Sequence, residues 1–174
     1  YAAARVLNNI LGQSGFGSRL MSVAREERGL TYGIYSYFQH FTRADALTIT
    51  TSTKNEKAGE MMSIITGELE KLKNNGITNQ ELEKTKSYLT GSLPLNFTSN
   101  SAISGTLAQM QLNSLEIDYL DQFIDSIEQV KLAEVNTLLR RFPETEKFTK
   151  VFVGQPQGLE LPSDIVIQDL PNAR

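Results

Sequence analysis

Two stretches of this chain alternate with the two-residue period of a β-strand, and they are immediate neighbours: residues 30–41 and 46–53. In the first, Leu30, Tyr32, Ile34 and Phe38 share one face, with Tyr35 and Tyr37 on the other. In the second, Leu47 and Ile49 face together and threonines fill other positions. Only Thr42-Arg43-Ala44-Asp45 separates them, which predicts an antiparallel hairpin. This pairing constrains the fold more than any other feature, because the βαβ alternation of a doubly wound parallel sheet is absent. The expected class is α+β: an antiparallel sheet covered on one face by several helices.

The remaining apolar residues recur at helical spacing. Residues 2–11 align Ala3, Val6, Leu7, Ile10 and Leu11, and residues 18–27 carry Leu20, Met21 and Ala24. Gly29 is placed to stop the second helix in the left-handed conformation. Residues 55–74 hold a stripe of Ala58, Met61, Met62, Ile65, Leu69 and Leu72. Thr78 and Glu81 have capping-box spacing and open a helix with Leu82, Thr85 and Leu89. Three more follow: 99–114 with Ile103, Leu107 and Met110; 118–129 with Leu120, Phe123, Ile124 and Ile127; and 131–142 with Val135, Leu138, Leu139 and Phe142. Residues 148–153 predict a third strand. The expected domain is 1–155, followed by an extended tail, 156–174, with one apolar patch at Ile165-Val166-Ile167. The chain opens inside a helical pattern with no starting methionine, as a fragment of a longer precursor would.

A chain of 174 residues suits one domain and buries roughly 70% of its unfolded surface. Its net charge of −3 argues against nucleic acid as a partner. No apolar run approaches the roughly 20 residues of a membrane span. Without cysteine there is no disulfide, thiolate nucleophile or thiolate metal site, and the compartment stays open between cytoplasm and periplasm. His40 is the only histidine, so a mononuclear zinc site of the usual kind has too few ligands; it reads as a strand-end residue. Glu26, Glu27, Glu60, Glu68, Glu70, Glu81 and Glu83 are expected mostly on solvated helix faces. The cluster Gly12, Gly15, Phe16 and Gly17 lacks the spacing of a phosphate loop and follows a helix, which makes it a turn.

Arg25 and Tyr32 allow two readings. One is an exposed helix-end arginine and a half-buried strand tyrosine. The other is chemical: a guanidinium fork can hold a carbonyl or carboxylate, and a phenol can donate to an oxygen that gains charge.

The run Asn9-Ile10-Leu11-Gly12, Gly15-Phe16-Gly17-Ser18-Arg19-Leu20-Met21 and Arg25-Glu26-Glu27-Arg28-Gly29-Leu30-Thr31-Tyr32-Gly33 resembles the carboxy-terminal half-domain of the pitrilysin/insulinase-like zinc metallopeptidases, which include the mitochondrial processing peptidase. The likeness covers about residues 1–155 and weakens after the hairpin. It implies a domain with no metal and no catalytic residue of its own, closing a chamber on an extended peptide. Zinc is expected in a homologous partner domain or subunit. The family's paired arginine and tyrosine fall on Arg25 and Tyr32, and its substrate loop falls on Gly12, Gly15, Phe16 and Gly17. Arg28 and Glu26 are expected to hold the loop by local ion pairs. The family domain has a further strand upstream, which this chain lacks. A structural or assembly subunit of the same fold, with no part in proteolysis, is the alternative. Bacterial periplasm or cytoplasm is the favoured location.

Overall fold

The structure, a computed structural model, describes residues 1–15, 17–41 and 44–159, without the side chains of residues 40, 41, 44 and 45. Helix α1, Ala2–Asn8, runs directly into a π-helical turn, Asn9–Gln13. Helix α2, Arg19–Met21, likewise widens into a π-helical segment, Ser22–Glu27. The hairpin follows as β1, Ile34–Phe41, and β2, Ala44–Thr51. Then come α3 (Ala58–Asn75), α4 (Asn79–Ser92), α5 (Asn100–Leu112), α6 (Tyr119–Glu128) and α7 (Leu132–Leu139).

The strands pair antiparallel with Ile34 opposite Thr51, Ser36 opposite Ile49 and Phe38 opposite Leu47. Ile34 and Ser36 are buried beneath the helices, while Tyr35 and Tyr37 stay exposed on the other side. The α+β expectation holds, with helices on one face. The core gathers Val6, Leu7, Ile10 and Leu11 of the first helix against Leu20, Met21 and Ala24, with Ile34, Leu72, Ile127, Val135 and Leu139 closing around them. The first helix is the hub, packed against α4, α6, α7 and β1.

Close approach explains one glycine here. A Cβ on Gly12 would lie 2.7 Å from both the amide nitrogen and the Oγ of Ser36, so only a hydrogen lets the π-helical turn rest on β1. The Ser36 hydroxyl in turn donates to Asn8 Oδ1 at 2.7 Å, closing the same seam with a buried hydrogen bond.

Three expectations need correction. The predicted strand at 148–153 has no ladder: among the described residues the sheet has two strands, and Val151 and Val153 are exposed. An alternating pattern makes a strand only when a neighbour accepts its hydrogen bonds. In α5, Met110 is buried but Ile103 and Leu107 are exposed, because α5 packs chiefly on the 3-10 turn Leu93–Phe97 and leaves that face open. Glu68 is buried rather than solvated, and Lys71 reaches its Oε1 at 2.6 Å.

The first residues after 155 lie on the start of α3. Gln157 N–H donates to the Asn55 carbonyl at 2.9 Å, and Gly59 N–H donates to the Gln157 carbonyl at 3.1 Å. Residues 160–174, with the patch Ile165-Val166-Ile167, lie outside the described residues. A Cβ on Gly59 would fall 1.9 Å from the Gly158 carbonyl oxygen. Gly59→Ala is therefore expected to lift this strap off α3 and destabilise the domain by about 1 kcal/mol, the low end for overpacking because the strap can move. Faster hydrogen exchange at the Gly59 amide would register it; unchanged exchange there would show that the strap does not depend on this contact.

Candidate functional site

Arg25 sits in the last turn of the second π-helical segment. Its carbonyl accepts the Gly29 N–H at 3.0 Å, and Leu30 N–H reaches back to the Ala24 carbonyl at 2.9 Å. Gly29 adopts φ +61°, the left-handed cap foreseen for it. The chain thus leaves the helix and turns sharply towards β1.

The link from Leu30 to Gly33 is braced by hydroxyls. Thr31 Oγ1 accepts the Gly33 N–H at 3.0 Å and donates to the Gly33 carbonyl at 2.8 Å. From β2, Thr51 Oγ1 donates to the same carbonyl at 3.0 Å; just beyond the strand, Thr53 Oγ1 donates to the Leu30 carbonyl at 2.7 Å. Tyr32 projects from this braced link with 92% of its surface exposed. Because β1 begins at Ile34, Tyr32 is not the half-buried strand residue of the architectural reading. Arg25 and Tyr32 therefore lie at the two ends of one fixed turn. The brace was missed from sequence alone, although the hydroxyl-rich run Thr51-Ser52-Thr53 is its visible signal.

The glycine stretch divides. Gly12 is buried in packing, whereas Gly15 and Gly17 turn the chain with φ of +64° and +89°. Ser18 closes this turn by donating its hydroxyl to the Gly15 carbonyl at 2.8 Å. Phe16 lies outside the described residues.

Arg19 then ties the turn to α4. Its Nε and Nη2 donate to the two Glu81 carboxylate oxygens at 2.6 and 2.9 Å, and Nη2 also donates to the Gly76 carbonyl at 3.1 Å. Glu81 Oε2 also accepts from the Thr78 N–H at 2.8 Å, and Thr78 Oγ1 accepts the Glu81 N–H at 3.2 Å, completing the expected capping box. Glu81 is thus a structural partner rather than a solvated charge. Arg28 likewise departs from expectation: it pairs with Glu60 of α3 at 3.3 Å, while Glu26 accepts from the Ser22 hydroxyl at 3.4 Å.

Burial pushes the Glu81 carboxyl up, but hydrogen bonds from Arg19 and Thr78 outweigh it and hold it below its ordinary 4.5. A carboxyl with a depressed folded value stabilises the fold above its unfolded value and loses that contribution as pH falls through the folded one. Glu81→Gln is expected to cost about 1 kcal/mol at pH 7, a modest figure because the two side chains keep 21% and 28% exposure. Urea titrations should show the gap between variant and parent shrinking as pH drops below about 4.5. A gap that stays constant with pH would remove the ion pair as its cause.

Among the described residues no group of three or more His, Asp or Glu side chains is placed to hold a metal ion. No helix among them is long and apolar enough to cross a membrane.

The family described as "Peptidase M16 inactive domain" matches residues 1–89, just over half of the 174. The chain belongs to the peptidase M16 inactive-domain family. The matched stretch holds both π-helical turns, the hairpin, Arg25 and Tyr32. The inactive domain is 35% identical over 153 residues to "Uncharacterized zinc protease YmxG" of Bacillus subtilis, covering 88% of this chain and 37% of that protein. It is 31% identical over 159 residues to "Non-peptidase homolog YmxG" of Helicobacter pylori, covering 88% of this chain and 35% of that one. A crystal structure of a peptidase M16 inactive domain from Pseudomonas fluorescens superposes with a TM-score of 0.69 at 34% identity, over 81% of this chain and 34% of that chain. The M16 inactive domain thus spans a little over a third of the length of these relatives.

Proposed function

We propose that this M16 inactive domain closes a chamber and holds extended peptide for a zinc-bearing homologous domain or subunit. The observation that carries the reading is the exposed phenol of Tyr32 on a link fixed from both flanks, across one turn from Arg25. A residue serving only architecture gains nothing from such exposure, whereas a rigidly held donor is what transition-state stabilisation requires.

In the partner, zinc would polarise the scissile carbonyl and lower the pKa of its bound water towards about 7. Tyr32 would donate its hydroxyl proton as a hydrogen bond to the tetrahedral oxyanion. Arg25 would take backbone carbonyl or carboxylate oxygens of the peptide in its planar fork. In the whole protein, Arg25→Ala is expected to raise KM about 10-fold, the scale of one charge-assisted hydrogen bond, and to lower kcat no more than that. Unchanged kinetics with short peptides would remove Arg25 from the substrate.

The likeness to the Helicobacter pylori non-peptidase homolog favours a second reading, an assembly subunit with no role in proteolysis. Reading the rest of the protein and its genetic neighbours for an H-x-x-E-H motif decides between them, followed by peptide cleavage with this domain added to any zinc-bearing candidate. Absence of the motif from both places would leave the assembly role.

A further inference from the structure

Beside the glycine turn lies a cavity of about 120 Å³, bounded by Asn9, Gly17, Arg19, Glu81, Lys84 and Tyr88. Its charges do not cancel. Arg19 and Glu81 neutralise each other in a two-hydrogen-bond ion pair, which removes both charges from the balance. Lys84 makes no hydrogen bond or ion pair among the described residues, so its ammonium is the uncompensated charge. It stands over the turn: a Cβ on Gly17 would lie 3.5 Å from Lys84 Nζ.

The other polar groups are unspent as well. Asn9 is only 4% exposed, yet its side-chain amide has no hydrogen-bond partner among the described residues, and it lines the cavity. No fully buried side-chain nitrogen or oxygen among the described residues lacks a partner, so the Asn9 amide opens onto the cavity's solvent, where a ligand atom can take the place of water. The Tyr88 hydroxyl, one helical turn beyond Lys84 on the same face of α4, is also without a partner there. An ammonium, a carboxamide and a phenol facing one small space can all donate, with one net positive charge among them. That set suits an oxyanion and gives a neutral amide no equal match.

We propose that this cavity is a specificity subsite for a carboxylate of the bound peptide, with Lys84, Asn9 and Tyr88 as its donors. The proposal rests on the peptide-holding reading above. It gives this chain a preference for acidic groups at a place distinct from the Arg25 and Tyr32 turn.

Fluorescence anisotropy on the full-length protein, with a chelator present to prevent cleavage, tests it. Three labelled twelve-residue peptides share one uncharged Ala/Ser/Val background: one with a single Glu and an amidated end, one with Gln in its place, and the Gln peptide with a free carboxy terminus. The Glu peptide is expected to bind about 5-fold tighter than its Gln counterpart, the upper range for a partly exposed ion pair. Lys84→Met, on an exposed position that leaves the Arg19–Glu81 anchor intact, should abolish the difference without changing Tm. If the free carboxy terminus gains more than Glu does, and loses that gain in Lys84→Met, the carboxylate recognised is the chain end. Equal affinity for all three peptides, or a preference untouched by Lys84→Met, overturns the subsite while leaving peptide holding intact. Failure of every peptide to bind overturns both.

Discussion

Replacing Tyr32 by phenylalanine is expected to lower kcat of the assembled protein about 100-fold, the loss seen when one oxyanion donor is removed. The substitution deletes a single oxygen. That oxygen has no hydrogen-bond partner among the described residues and sits on a side chain 92% exposed, so the fold has nothing to lose with it. Tm and peptide affinity should therefore stay at the parent values while turnover falls. Such a split identifies an interaction made only in the transition state. An unchanged kcat would return Tyr32 to architecture. The brace gives a graded companion: Thr51→Val removes the donor to the Gly33 carbonyl, and a smaller fall in kcat would follow from a loosened phenol.

Gly12→Val is expected to destabilise the domain by about 3 kcal/mol, the upper part of the range for overpacking. The first carbon added already falls 2.7 Å from the Ser36 amide nitrogen, a backbone atom held in the β1–β2 ladder. Rotamer changes cannot relieve that contact, and the β-branch adds bulk to a turn enclosed by Ile10, Leu11 and β1. The urea midpoint should drop steeply, with the Gly12→Ala variant in between. A midpoint unchanged from the parent, with peptide binding weakened, would instead place Gly12 among residues that meet substrate. In the structure that role is open to Gly15 and Gly17, which lie in the turn beyond the packed π-helical segment.

The two replacements probe different levels of one region. Tyr32 concerns what the turn presents, and Gly12 concerns how the helix before it can lie against the strand after it. The proposed carboxylate cavity lies beside the same glycine turn, on the α4 side, because Arg19 ties that turn to Glu81.

Much of this was legible from local pattern. The hairpin and its facing residues follow from a two-residue period, and the Thr78–Glu81 box and the Gly29 cap follow from side-chain and backbone chemistry within one turn. The Arg25 and Tyr32 spacing was visible too, but not that Tyr32 would stand clear of the strand. Period alone placed Tyr32 in β1; the Thr31, Thr51 and Thr53 hydroxyls hold that link in another shape. The widening of both early helices into π-helical turns left no local mark.

Misreadings arose where an outcome depended on a distant partner. Residues 148–153 alternate like a strand, yet strand pairing requires a second chain segment at the right distance. Ile103 and Leu107 have core spacing, but a helix buries its apolar face only if something packs there. Glu81 sits on a helix that is polar by pattern, and its partner Arg19 is 62 residues away.

The amino-acid sequence by itself determined the two hairpin strands, the helices before and after them and the caps, because each is settled by energies acting within a few residues; the register was not among these, since Ala44 and Asp45, read as part of the turn, pair in β2. Tertiary structure alone decided which apolar faces are covered, which carboxylates are spent in ion pairs and which donors are left facing the cavity. Those depend on residues brought together across tens of positions, and no local spacing records them.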